Sequence, residues 1–264
     1  MDIWGAKRDL ESGRQYKAQI GPLILWFERG VDEIHIAVER LEGGTVEDEN
    51  VCFVSADDGK QGSLDWKRWI VENSCRQISI FPVMPDRPAV VRPEVPVKIP
   101  KDHEALFFVS IPVWAKIIAE QSKQIVLCQE PSIILSNIWF GDSMSGELCY
   151  SLRSRARRQV ADAETKPHRA VCPVRIRNST ESLLDVERFC VHVEHLKIYR
   201  GARRLWTNEI RISFQGEDAG SKVDYVQKAP EYEHVEDVLS EARIPPKKTL
   251  LQKSVGTFKL LTGF

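Results

Sequence analysis

The chain has 264 residues, 42% hydrophobic and 28% charged, with a formal net charge of −1. Those proportions are those of a soluble globular protein of one large or two ordinary domains, and they exclude an overall electrostatic draw toward nucleic acid or anionic membrane. The longest apolar runs, such as 105–111, are far short of the ~20 residues that span a bilayer, and the N-terminus lacks a cationic-then-apolar signal. We therefore expect a cytoplasmic protein without a transmembrane segment.

Residues 1–15 are polar and read as a lead-in. From Tyr16 the pattern turns to strands. The segment 20–30 is a dense apolar strand interrupted at Gly21-Pro22, and 32–42 alternates, with Ile34, Ile36 and Val38 on one face. Period two over that length argues a half-buried strand, joined to its predecessor by a turn at 30–32. Residues 51–56 read as a short buried strand. Residues 66–72 fit a helical turn and a strand equally well. Residues 76–85 begin as a strand and run into prolines. Between Pro82 and Pro100 lie six prolines, which forbid a helix or a central strand and predict an extended connector with an edge strand.

Two stretches then echo each other. PVKIPKDHEAL at 96–106 and PVRIRNSTESL at 173–183 match at a constant offset of 77 residues, and 138–150 echoes 212–225. The fold expected is mostly β, with two tandem β-sandwich-like domains from an internal duplication and one C-terminal helix. The expected division is a lead-in at 1–15, an N-terminal β domain at 16–155, a charged linker at 156–169, a C-terminal β domain at 170–230, and an acidic helix with a basic tail at 231–264. The helix rests on Tyr232, Val235, Val238, Leu239 and Ala242 at steps of three and four, closed by Pro245-Pro246.

Few constellations can carry chemistry. Cys190, His192 and Glu194 stand at i, i+2, i+4 on an expected strand and share one face; all three are metal-ligand types. The bland alternative is a solvated face with one cysteine, and the six cysteines lack any CxxC pair. Arg153, Arg155, Arg157 and Arg158 form a basic cluster that can contact phosphates, but no aromatic is interleaved, so it reads as a solvated linker. Trp139 and Trp206 suit either a sugar platform or the core. The tail places Leu251, Val255, Phe258 and Leu261 on one helical face beside Lys247 and Lys248, a surface for a protein partner or for the chain's own acidic helix. No nucleophile elbow, phosphate-binding loop or dinucleotide fingerprint occurs, so no catalytic residue and no cofactor is expected.

The segments 96–117 and 173–218 resemble the prokaryotic family labelled domain of unknown function 432. That family has no established activity, so the resemblance implies a bacterial or archaeal cytoplasmic protein and supplies no site residues. The functional expectation is a non-enzymatic protein that binds a macromolecular partner, with a homodimer left open and nucleic acid not expected. The alternatives are a small-ligand or carbohydrate-binding module, and a metalloprotein or enzyme built on Cys190, His192 and Glu194.

Overall fold

The computed structural model describes residues 3–41, 51–56, 64–141, 144, 146–216, 221–246 and 250–252. Within them the chain is mostly β, with two single 3-10 turns and no α-helix. It divides into two compact units that interleave along the sequence: Met1–Val83, Pro112–Ile133 and Lys166–His168 form the first, and Met84–Ile111, Ile134–Thr165 and Arg169–Phe264 the second. Of the expected linker at 156–169, residues 156–165 and 169 fall in the second unit and 166–168 in the first.

The first unit holds a five-stranded antiparallel sheet, ordered Val51–Ala56, Gln15–Ile20, Leu23–Arg29, Glu33–Arg40, Lys67–Ile70. Gly21, at φ 59°, reverses the chain between the second and third of these, a backbone state that costs glycine nothing and lets Ile20 pair with Leu23. Leu25, Phe27, Ile34 and Ile36 are buried on one face, as their alternation predicts. Trp26 and Ala37 are buried on the other, where Leu64 and Trp66 pack against them. The strand Val51–Ala56 is an edge and stays half-exposed rather than buried. The lead-in is part of the fold: Lys7–Asp9 is the outer strand of a second, four-stranded sheet, and Ile3, Trp4 and Leu10 are buried. Three large apolar side chains among polar neighbours are enough to tie the terminus down.

The second unit carries an eight-stranded sheet, a two-stranded ribbon and a four-stranded mixed sheet. The echoing segments both lie here and take different parts. Residues 97–99 pair only with Leu184–Val186, whereas 173–178 belong to the long strand Arg169–Asn178 inside the eight-stranded sheet. Their downstream hairpins do correspond: Phe140 faces Glu147 across one, and Phe214 faces Ser221 across the other.

The expected C-terminal helix is instead the strand Val235–Ser240, paired with Ile198–Gly201. Its neighbourhood explains the change. Tyr232 stacks on the indole of Trp206 at 5.9 Å, Glu233 accepts from the Trp206 Nε1–H at 3.1 Å, and Arg200 reaches Asp237 at 3.0 Å. An open sheet edge and a buried tryptophan outweigh a weak helical propensity. The proline-rich stretch also departs from expectation. Ala89–Pro93 sits between two strands, because Pro88 and Pro93 fall at its ends and leave 89–92 free to pair on both sides.

Gly201 closes the turn before Trp206, and a Cβ there would stand 2.7 Å from the Arg204 carbonyl oxygen and 2.7 Å from Trp206 Cδ1. Gly201→Ala is expected to destabilise the second unit by about 1–3 kcal/mol through overpacking. A urea titration followed by tryptophan fluorescence measures it; an unchanged midpoint would show that the turn yields freely.

Candidate functional site

The mixed sheet runs Ser136–Phe140, Glu147–Ala156, Ala89–Pro93, Phe189–Val191. Its register decides which side chains share a face, because residues opposite one another point the same way. Phe140 lies opposite Glu147, Ile138 opposite Cys149, Ser151 opposite Val90, and Val90 opposite Cys190. Glu147, Cys149 and Cys190 therefore project from one face. Three chain segments that are far apart in sequence meet there.

The two thiols close on each other, Sγ to Sγ 3.7 Å, and Cys190 Sγ is 3.8 Å from a carboxylate oxygen of Glu147. The ligand atoms of Glu147, Cys149 and Cys190 all lie within 4.8 Å of one another. Cys149 and Cys190 are buried with Val90 and Phe140, while Glu147 is half-exposed and opens the cluster to solvent. His192 follows directly. Its Nε2 is 3.3 Å from Glu147 and its Nδ1 is 3.1 Å from Glu194. Next comes His195, buried, with Nδ1 2.8 Å from the Ile244 carbonyl oxygen. That nitrogen therefore carries the proton, leaving Nε2 turned to Glu194 at 3.9 Å.

The electrostatics follow from these contacts. Burial alone would depress the His192 imidazole, but the hydrogen bonds its ring N–H groups donate to Glu147 and Glu194 outweigh it and push it up to about 10. The hydrogen bond shared with Cys149, then burial, holds the Cys190 thiol well above its ordinary value. Burial and then the Glu194 charge push the Tyr225 phenol up as well. Glu194 Oε2 and the Tyr225 hydroxyl are buried without a hydrogen-bond partner among the described residues.

The sequence placed Cys190, His192 and Glu194 together on one strand face. The strand ends at Val191, and Val193–His195 coils into a 3-10 turn. Glu194 consequently swings behind the imidazole, and the ligand-type groups nearest Cys190 are Glu147 and Cys149 from the hairpin. The missed pair had a faint signal: Glu147-x-Cys149 repeats the spacing of Cys190-x-His192. In the tail, Leu250–Gln252 is a strand paired with Ser221–Tyr225, so the chain's own sheet takes up Leu251. Lys247, Lys248, Val255, Phe258 and Leu261 lie outside the described residues. Trp206 is fully buried and gives no sugar platform, whereas Trp139 is half-exposed.

Fold and cluster together define a mostly β protein with a buried thiol pair beside a carboxylate and an imidazole. By sequence, residues 3–259 match the family described as "Protein of unknown function (DUF432)", and the chain belongs to that family. Comparison with curated proteins and with solved structures finds no match. No helix among the described residues is long and apolar enough to cross a membrane.

The six free cysteines differ in exposure: Cys52 and Cys128 are partly accessible and the other four are buried. Burial, then the Glu130 charge, pushes the Cys128 thiol up to about 12, and burial does the same to Cys172. With N-ethylmaleimide at neutral pH the native protein is expected to react first at Cys52 and last at Cys172, an order read by peptide mass mapping. Early modification of Cys149 or Cys190 would show that these two thiols are not buried in solution.

Proposed function

We propose that the protein binds a thiophilic divalent cation, with zinc the best fitted, through Cys149, Cys190 and Glu147. The observation that carries this is the sulfur separation. Two sulfurs each ~2.3 Å from one zinc at the tetrahedral angle stand ~3.75 Å apart, and Cys149 and Cys190 are separated by 3.7 Å. The contact from Cys190 to the Glu147 oxygen, 3.8 Å, is close to the ~3.5 Å expected for a sulfur–oxygen edge of the same tetrahedron. A thiol pair that served only to fill space would need no carboxylate at its side.

Each residue then has a role. On binding, both thiols release their protons to solvent and ligate as thiolates, and Glu147 supplies the oxygen. His192 steadies Glu147 through Nε2 and is itself held by Glu194 through Nδ1, the arrangement by which groups behind the ligands orient a metal site. The cation would clamp the strands Glu147–Ala156 and Phe189–Val191 on either side of Ala89–Pro93. The reading takes the thiols as reduced, as in a cytoplasmic protein. It replaces the sequence-based Cys190, His192, Glu194 ligand set with one in which only Cys190 is retained as a ligand.

Elemental analysis of the purified protein is expected to find about one zinc per chain. Titration of metal-stripped protein with cobalt(II) is expected to give the ultraviolet thiolate-to-metal band. Cys149→Ser and Cys190→Ser should abolish that band, and Cys75→Ser should leave it. Absence of saturable cobalt binding in the unaltered protein would refute the reading.

A further inference from the structure

The same face of the mixed sheet has a second end. Beyond Val90 and Ser151, the strand Glu147–Ala156 bulges: four steps from Ser151 to Arg155 run against two from Val90 to Arg92. Extra residues at that point re-aim the side chains that follow. Arg153 and Arg155 are thereby brought to the cleft that Arg92 and Arg188 also line. The cleft has a volume of about 320 Å³, with Ser151 among its polar groups and Val90, Ile138 and Leu152 as its apolar floor.

Four arginines line this cleft, and among the described residues no carboxylate does. That is unusual for a chain with net charge −1. Arg92, Arg153, Arg155 and Arg188 form no ion pair among the described residues; the one marked contact is Arg188 over the Phe140 ring at 5.4 Å. Other arginines of the same unit do have carboxylate partners. Arg157 is paired with Glu94, Arg200 with Asp237, and Arg204 with Glu233. A second groove, near Tyr232, makes the contrast sharp: its Arg175 and Arg211 reach Glu209, and its Lys228 reaches Glu231.

We propose that the cleft lined by Arg92, Arg153, Arg155 and Arg188 binds a small molecule carrying two or more phosphate groups. Converging guanidiniums repel one another, and a clustered anion removes that repulsion. Planar guanidinium forks match phosphate oxygens two at a time, which lysines do not. The Ser151 hydroxyl adds a donor, and the apolar floor suits a ring or chain attached to the phosphates. The volume is that of a small-molecule site, and the charge is confined to one cleft rather than drawn out into the basic stripe that a nucleic-acid backbone requires. The sequence cluster at 153–158 held half of this site: Arg157 and Arg158 turn to Glu94 and to the Phe107 ring, and Arg92 and Arg188 come from elsewhere.

The test is calorimetric titration of the full-length chain with inorganic pyrophosphate at fixed ionic strength, with chelator present so that a metal at the thiol cluster plays no part. Saturable binding is expected, at least about tenfold tighter than for orthophosphate, the margin one charge-assisted hydrogen bond supplies. Arg92→Gln and Arg155→Gln, both at exposed positions, should each weaken it by about tenfold or more. Arg177→Gln, at an exposed arginine outside the cleft, should not. Circular dichroism confirms that the variants fold. No saturable binding, equal weakening by Arg177→Gln, or preferential binding of a single-stranded RNA that pyrophosphate does not displace would overturn the proposal.

Discussion

The parallel pairing of Ala89–Pro93 with Glu147–Ala156 is the constraint on which the rest of the second unit's site depends. That central pair accepts Phe189–Val191 on one side and Ser136–Phe140 on the other. Because side chains alternate strictly across a pleat, a slip of one residue in that register would send Cys149 to the opposite face from Cys190. It would also break up the arginine cleft. The local sequence pays little attention to this: neither strand is patterned strongly enough to specify its partner alone.

One face of this sheet thus carries two opposite chemistries. At the end nearest Glu147, two buried thiols lie close to each other and to a half-exposed carboxylate. At the end nearest Arg155, Arg92, Arg153 and Arg155 are exposed and permanently cationic, and form no ion pair among the described residues. Val90 and Ile138 lie between, packing against the thiols and flooring the cleft. Among the described residues Glu147 forms no ion pair with these arginines. The His192 imidazole absorbs the charge of Glu147 instead, with Glu194 behind it.

Alternation over 32–42 identified the buried face at Ile34 and Ile36, because a strand in a regular antiparallel sheet shows its environment in its own residues. The single strand expected through Cys190, His192 and Glu194 is instead a short strand, a 3-10 turn and another strand, so the backbone does not keep the two-residue period their spacing suggests. The three-and-four spacing at 232–242 likewise suited a helix, and Trp206 with an open strand edge claimed it for a sheet. The matched segments at 96–106 and 173–183 share residues, yet one pairs in a ribbon and the other in a broad sheet.

The sequence by itself determined that the chain is mostly β, that its apolar residues suffice for substantial cores, and which family it belongs to. Those properties are written in composition, in period-two patterning and in the order of residues over nearly the whole length. It also marked Cys190 and Arg153 with Arg155 as residues of interest. Only the tertiary structure decided that Cys149 and Glu147 join Cys190, and that Arg92 and Arg188 complete the cleft. Both assemblies are made by strand pairing between segments tens of residues apart, and strand register is fixed by the partner and the turn geometry rather than by either segment alone.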